Sequence, residues 1–265
     1  MWGPHSATDR AGAGHDDPHR LDAFSSPRSP AGALTVAGIS SFYDTCAVMA
    51  RDPRLKLAAG IAGPALFTAS WVGATAGQHG LGDYHIAREH ISGLAAPDAR
   101  FPRLMTAAFL TLGVATNVFG AALRDLLGGS AQCGWGPRLI RISGIATIIA
   151  GLLRRDQMLL GVVDGVERQS WRNDGHDIAS GVVYASLIAA PVALARRFHQ
   201  DPEHHQLRAP ALATAALTSA VLTLFASRRI EPYNGIVQRF GVTIPALASA
   251  ALAARLLQQS PSASA

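Results

Sequence analysis

Six apolar blocks set the limits on what this chain can fold into, at residues 57–77, 104–124, 138–153, 177–196, 209–227 and 240–257. A membrane-spanning helix needs about 20 apolar residues, within a range of about 17 to 25, and every block except 138–153 reaches that length. A soluble helical bundle would need a charged outer face on each helix, which these blocks lack. We therefore predict an all-α polytopic membrane protein with six transmembrane helices.

The charge content agrees with a membrane protein. Charged residues make up 15% of the chain, against about 25% in soluble domains. The net charge of +5 is spread between the apolar blocks, without the basic stripe of a nucleic-acid-binding surface. We predict membrane lipids as partners and no nucleic acid. The glycines form no phosphate-binding pattern, so no cofactor is predicted.

The chain divides into a tail and a membrane domain. Residues 1–54 are predicted to be a disordered or interfacial N-terminal tail, because the first part is rich in Pro, Gly, Ser, His and Asp and has no periodicity. Residues 55–258 form the six-helix domain, and residues 259–265 form a C-terminal tail. Met49 is predicted to be the natural translation start. Cys46 and Cys133 show no metal-finger spacing and are interpreted as free thiols.

The connectors after the first, third and fifth helices carry nine of the 18 acidic residues. With six spanning helices, these three connectors lie on the same side, opposite both termini. The sequence therefore predicts a polar face there, whose acids are Asp83, Glu89, Asp98, Asp156, Asp164, Glu167, Asp174, Asp177 and Glu231.

The orientation of this face follows from the basic residues. From residue 51 onward, Lys and Arg divide ten to ten between the two sides. The tail adds three more arginines to the side of the termini: Arg10, Arg20 and Arg28. Because basic residues are in excess on cytoplasmic segments, this difference predicts cytoplasmic termini. We predict a multi-pass plasma-membrane protein whose polar face looks outward.

The third apolar block, residues 138–153, is short and has arginines near both ends. Arg141 and Arg154 are 13 residues apart, about 20 Å of helix against a hydrocarbon core of about 30 Å. One of them is expected at membrane depth, where a charge needs a partner. "LLRRDQ" at residues 152–157 therefore contributes Arg155 and Asp156 as site candidates, with Asp156 as the nearest counter-ion.

"NDGHDIASG" places His176 and Asp177 at the predicted start of the fourth helix. Asp177 could cap the helix, because acids are favoured at helix N-termini. Alternatively, His176 and Asp177 form a pair that faces a pocket and transfers protons. The two interpretations are compatible.

Ser92 and three histidines suggest further chemistry. Ser92 either caps a helix or acts as a nucleophile served by His176, although the G-x-S-x-G pattern is absent. His85, His90 and His176 are the metal-ligand candidates. The spacing of His85 and His90 does not match the i, i+4 pair of a helical metal motif, so solvated loop histidines are the default and no metal is predicted.

"YNGIVQRFGVTIP" leads into the sixth helix. Asn234 and Gln238 are four residues apart and share one helical face if the helix begins early. Arg239 is interpreted either as an interfacial anchor or as a partner for a headgroup or carboxylate in the site.

Four motifs resemble a known family: "HISGLAAPDARF" after the first helix, "GLLRRD" ending a glycine-rich third helix, "HDIAS" opening the fourth and "NGIVQRFGVTIP" entering the sixth. Their order resembles the bacterial six-helix membrane family catalogued as domain of unknown function 998, over about residues 55 to 258. The resemblance implies an integral membrane protein with no established activity. Arg154 departs from the aromatic or proline that members usually show there. The matching positions are Ser92, Asp156, His176, Asp177, Gln238 and Arg239.

These observations predict a polar pocket at one membrane face that binds a lipid headgroup or a small polar ligand through arginine contacts. A membrane-embedded hydrolase with a His/Asp or metal-assisted site is one alternative. A small-solute transporter is another, although no inverted repeat is visible between residues 57–153 and 177–257. The predicted pocket residues are Ser92, Arg155, Asp156, His176, Asp177, Gln238 and Arg239.

Overall fold

The computed structural model describes residues 52–80, 84–128, 134–159 and 170–259, and this part of the chain is helical without strands. The predictions for residues 1–51 and 260–265, including Met49 and Cys46, lie outside the described residues, as does Cys133. Short 3-10 turns occur at Ile91–Ala95, His205–Leu207 and Arg228–Tyr233. The six α-helices are α1 Pro53–Gln78, α2 Pro102–Leu127, α3 Trp135–Leu152, α4 Trp171–His199, α5 Arg208–Ala226 and α6 Asn234–Gln259.

Side-chain caps fix where two of the helices begin. The Asp52 side chain accepts a hydrogen bond from the Arg54 N–H at 2.8 Å, with a proline at the first helical position. At α4, the Ser170 hydroxyl accepts from the Arg172 N–H at 3.2 Å. Helix α4 therefore begins at Trp171, before the predicted block, and the prediction that Asp177 caps it is wrong.

Five helices are long and apolar enough to cross a membrane: α1, α2, α4, α5 with its preceding 3-10 turn, and α6. Helix α3 has 18 residues and carries Arg138 and Arg141 in its first two turns. Large apolar side chains point outward, such as Leu66, Ile178 and Leu247, exposed by 56%, 70% and 66%. Large apolar surfaces of this kind suit lipid rather than water, so the chain is a multi-pass membrane protein.

The helices form a ring. Each packs against its neighbours in the chain, and α6 closes the ring against α1. Small residues allow the close approaches, as expected between membrane helices. A Cβ added to Gly113 of α2 would lie 2.7 Å from the carbonyl oxygen of Gly144 on α3. A Cβ added to Gly144 would lie 2.7 Å from the carbonyl oxygen of Gly113. The six helices thus follow one another around the ring in chain order, and the ring encloses a central space.

The connectors after α1, α3 and α5 lie on one face of the ring, which we call the capped face. Residues 84–101, the capping segment, hold them together. The backbone N–H of Ile91 donates to Gln238 Oε1 on α6 at 2.7 Å. Asp98 accepts from the Met158 N–H, after α3, at 2.9 Å. The capping segment thus ties α6 to the α3–α4 connector.

Arg239 is the main link between the capping segment and α6. It is buried, 7% exposed. Nη1 donates to the carbonyl oxygens of Ile86, Glu89 and Gly235 at 3.0, 2.8 and 2.8 Å, and Nη2 donates to the Tyr84 hydroxyl at 2.9 Å. Hydrogen bonds from a charged donor are about twice as strong as neutral ones.

Three further features support this link. The guanidinium carbon of Arg239 lies 5.7 Å from the Trp71 ring centroid, within the range of a cation–π interaction. The buried carboxylate of Glu89 interacts electrostatically with Arg239. A Cβ at Gly235 would collide with the carbonyl oxygens of the same connector, so the backbone approach needs a glycine. From the sequence, Arg239 was interpreted as an interfacial anchor or as a partner for a headgroup or carboxylate. In the structure its hydrogen bonds go to groups of the capping segment and of α6.

We predict that Arg239→Lys destabilises the fold, because lysine cannot reach several carbonyl oxygens with one planar group. The loss should be at least about 1.5–3 kcal/mol of unfolding free energy, the value of one hydrogen bond to a charged group. Unfolding in detergent by denaturant or heat measures it. Arg255→Lys, at an exposed position near the other end of α6, is the control and should change stability by less than about 0.5 kcal/mol. Equal stability of the two variants would contradict the role of Arg239.

Candidate functional site

A cavity of about 130 Å³ lies inside the ring beneath the capping segment, and we call it the upper cavity. Helices α1, α2, α3, α4 and α6 all contribute to its wall. Three predicted site residues line it: Ser92 from the capping segment, His176 from α4 and Gln238 from α6. The remaining lining is mostly apolar, with Phe67 and Phe109 among the larger side chains.

The tautomer of His176 follows from its hydrogen bonds. Nδ1 lies 2.8 Å from the carbonyl oxygen of Ala150 and 3.0 Å from that of Leu153. Carbonyl oxygens only accept, so Nδ1 carries the proton and donates. In the neutral ring Nε2 is then the acceptor nitrogen. His176 thus brings a fixed hydrogen-bond acceptor to the wall of the upper cavity.

Tyr184 is a lining residue that the sequence analysis missed. Its hydroxyl accepts from Gln238 Nε2 at 3.2 Å, which leaves the hydroxyl proton to be donated elsewhere. His176, Ser180 and Tyr184 are spaced four residues apart and share one face of α4, and all three line the cavity. This polar stripe on an otherwise apolar helix is the sequence feature that could have identified Tyr184 as a lining residue.

A second cavity, the lower cavity, continues towards the opposite face of the ring and has a volume of about 260 Å³. It is lined by α4, α5 and α6 with single residues of α2 and α3, and reaches Phe198 and Leu207. Prolines inside three helices line one or both spaces: Pro64 of α1, Pro191 of α4 and Pro245 of α6. The residues shared by the two cavities are Phe119, Ile140, Leu187, Ala190, Pro245 and Ser249.

The remaining predicted site residues have protein partners. Arg155 pairs with Asp177 at 3.4 Å. Asp156 accepts from the backbone N–H and the hydroxyl of Ser170, both at 2.8 Å. Asp156 was predicted as the nearest counter-ion for Arg141 or Arg154, but its hydrogen bonds go to Ser170, and the ion pair in this connector joins Arg155 to Asp177. Asp156 instead holds the residue that caps α4.

The metal-ligand candidates do not form a cluster. Among the described residues, the one group whose ligand atoms lie within 4.8 Å of each other is Asp201, Glu203 and His204. Asp201 also pairs with Arg197 at 3.2 Å. Burial raises the pKa of Asp201, but the hydrogen bond from His204 and the charge of Arg197 outweigh it and hold the pKa below its usual value. This group is explained as an ion-pair network at the end of α4.

His90 is partly buried in the capping segment. Its ring centroid lies 5.1 Å from that of Phe225 on α5, and Nε2 finds no hydrogen-bond partner among the residues described. Burial lowers the pKa of His90 to about 3, assisted by the positive charges of Arg155 and Arg239 and by His176. The imidazole is therefore neutral at physiological pH.

We predict that the partly buried, neutral His90 makes the fold sensitive to acid. The folded pKa lies below the unfolded value of 6.5, so the unfolded chain binds the extra proton between those values. The contribution of His90 is fully present above pH 6.5 and is lost as pH falls, with a slope approaching about 1.4 kcal/mol per pH unit. Unfolding measured from pH 7.5 down to about pH 4.5 should show a shallower decline in His90→Leu.

The control for this prediction is His85→Leu, because the His85 side chain is exposed. This variant should follow the wild-type decline of unfolding free energy with pH. If His90→Leu also follows the wild-type curve, His90 is not the group that titrates.

Comparison with known proteins places the chain in a family without a described activity. Neither the curated proteins nor the solved structures give a match. The family model described as "Protein of unknown function (DUF998)" matches residues 61–255, which span α2 to α5 completely and most of α1 and α6. The match covers well over half of the chain, which therefore belongs to the DUF998 family.

Proposed function

We propose that this protein binds an amphiphilic molecule inside the helix ring, with the polar group of the ligand in the upper cavity. The observation that carries the proposal is the fixed acceptor Nε2 of His176 at the wall of a mostly apolar cavity. Ligand sites commonly combine apolar walls with a few placed polar groups. Ser92, Ser180, Tyr184 and Gln238 are among the other polar groups on that wall.

The surroundings favour a lipid-derived ligand over a solute from water. Lipid would surround the ring in the membrane, and the apolar lower cavity adjoins the upper one through shared wall residues. A small polar ligand would leave that apolar space without a matching partner. Arginine contacts to a headgroup are not part of the proposal, because Arg155 and Arg239 are engaged with protein groups.

A hydrolase is the less favoured alternative. Ser92 and His176 do line the same cavity. In a Ser–His–Asp site, however, a carboxylate holds Nδ1 of the histidine. Here carbonyl oxygens of Ala150 and Leu153 hold it, and Asp177 pairs with Arg155. Binding without hydrolysis is therefore proposed.

The proposed location is the plasma membrane with cytoplasmic termini. Its support is the excess of tail arginines on the side of the termini, according to the rule for basic cytoplasmic segments. The capped face and the upper cavity would then lie near the outer surface.

Native mass spectrometry of the purified full chain, titrated with total lipid extract of the expression host, tests the proposal. His176→Asn keeps a donor near the Nδ1 position and removes the Nε2 acceptor. We expect wild type to carry one lipid adduct and His176→Asn to bind it roughly five- to tenfold more weakly, the effect of one hydrogen bond.

Ser180→Leu fills the upper cavity and should also lose the adduct, whereas Ala185→Leu is the matched control on the outer face of α4. An adduct that persists equally in folded His176→Asn and Ser180→Leu would contradict the proposed site. Absence of any adduct from wild type would contradict it as well. Release of a free fatty acid by wild type but not by Ser92→Ala would favour the hydrolase instead.

A further inference from the structure

We propose that the ligand is a neutral, hydroxyl-bearing amphiphile with a single long hydrocarbon chain, such as a monoacylglycerol, and that its chain fills the lower cavity. This inference rests on the proposed function and adds the class of molecule. Three independent features carry it: the absence of charge on the cavity walls, the donor and acceptor pattern at the polar end, and the shape of the combined cavities.

The walls of both cavities carry no Asp, Glu, Lys or Arg among the described residues. A phosphate or carboxylate placed there would lose its hydration without gaining a counter-charge, which is costly in an apolar environment. The nearby arginines are already compensated, Arg155 by Asp177 and Arg239 by the carbonyl oxygens of the capping segment. A charged headgroup is therefore disfavoured.

The polar end requires a ligand that both donates and accepts hydrogen bonds. Nε2 of neutral His176 can only accept, so the ligand must present a donor to it. The Tyr184 hydroxyl accepts from Gln238 and has its own proton to donate, so the ligand must also present an acceptor. An alcohol group satisfies both requirements without a charge.

The two cavities are stacked along the helices rather than side by side. On α6 the lining runs from Gln238 in the upper cavity to Leu252 in the lower cavity. At about 1.5 Å per residue, this run is about 21 Å long. The walls share residues of α2, α3, α4 and α6, so the two cavities adjoin each other end to end, and the proposed ligand would extend through both. This shape fits one extended hydrocarbon chain.

Four probes with defined headgroups and chains test the class of ligand: mono-oleoylglycerol, mono-octanoylglycerol, oleate and oleoyl lysophosphatidylglycerol. Each is titrated into the purified full chain, and the dissociation constant is measured by native mass spectrometry. We expect mono-oleoylglycerol to bind at least roughly tenfold more tightly than oleate and lysophosphatidylglycerol. A charged oleoyl probe that binds as tightly as mono-oleoylglycerol would overturn the neutral headgroup.

Substitutions that fill the lower cavity test whether the hydrocarbon chain of the ligand lies there. Ala211→Phe places a ring into its wall, and Ala213→Phe places the same ring on the exposed side of α5. We expect Ala211→Phe to weaken mono-oleoylglycerol at least roughly tenfold while mono-octanoylglycerol binds as in wild type. Ala213→Phe should change neither ligand. Ala248→Phe, on α6, provides a second blocked variant.

The outcomes separate this inference from the proposed function. Suppose that mono-oleoylglycerol binding depends on His176 but is insensitive to Ala211→Phe and Ala248→Phe. The hydrocarbon chain of the ligand then lies outside the lower cavity, so this inference fails while the proposed function stands. If none of the four probes binds wild type and His176→Asn loses no lipid from the host extract, both fail.

Discussion

One buried guanidinium group determines how the capped face is built. Arg239 lies inside the protein, so its charge is balanced by backbone carbonyl oxygens of the capping segment and by the nearby Glu89 carboxylate. A buried charge that loses its partners costs several kcal/mol, which keeps the capping segment over the end of the ring. Ser92 and the backbone of Ile91 are positioned by the same arrangement. The wall of the upper cavity therefore depends on a residue that does not face the cavity.

Four other ionisable groups among the described residues of this face also bind protein rather than facing the interior. Asp98 accepts from Met158, Asp156 from Ser170, and Arg155 pairs with Asp177. The charged side chains of the connectors thus join the connectors to one another. The polar groups that line the interior are instead an imidazole, hydroxyls and an amide. A neutral interior in a membrane protein suits an amphiphile better than an ion. This is the physical reason for linking the architecture to lipid binding.

The sequence predicted the helical membrane architecture well, because the length of an apolar block is a local property. Ser92, His176 and Gln238 were also predictable, since polar side chains next to apolar blocks stand out. The partners of Arg239 and Asp156 could not be predicted, because they are mainly backbone groups and a serine distant in sequence, which no motif reveals. Tyr184 was missed because its hydrogen-bond partner, Gln238, lies on another helix, although its spacing from His176 along α4 was visible in the sequence. The lower cavity could not be predicted, because it arises from how the helices close into a ring.

The most direct test of the account is an experimental structure of the full chain in lipid nanodiscs, enlarged by a bound antibody fragment, at a resolution that shows lipid chains. The account predicts one elongated non-protein density that begins within hydrogen-bond distance of His176 Nε2 and extends past Pro245 towards Leu252. Density restricted to the outer surface of the ring, with side chains or water alone filling the interior, would contradict it.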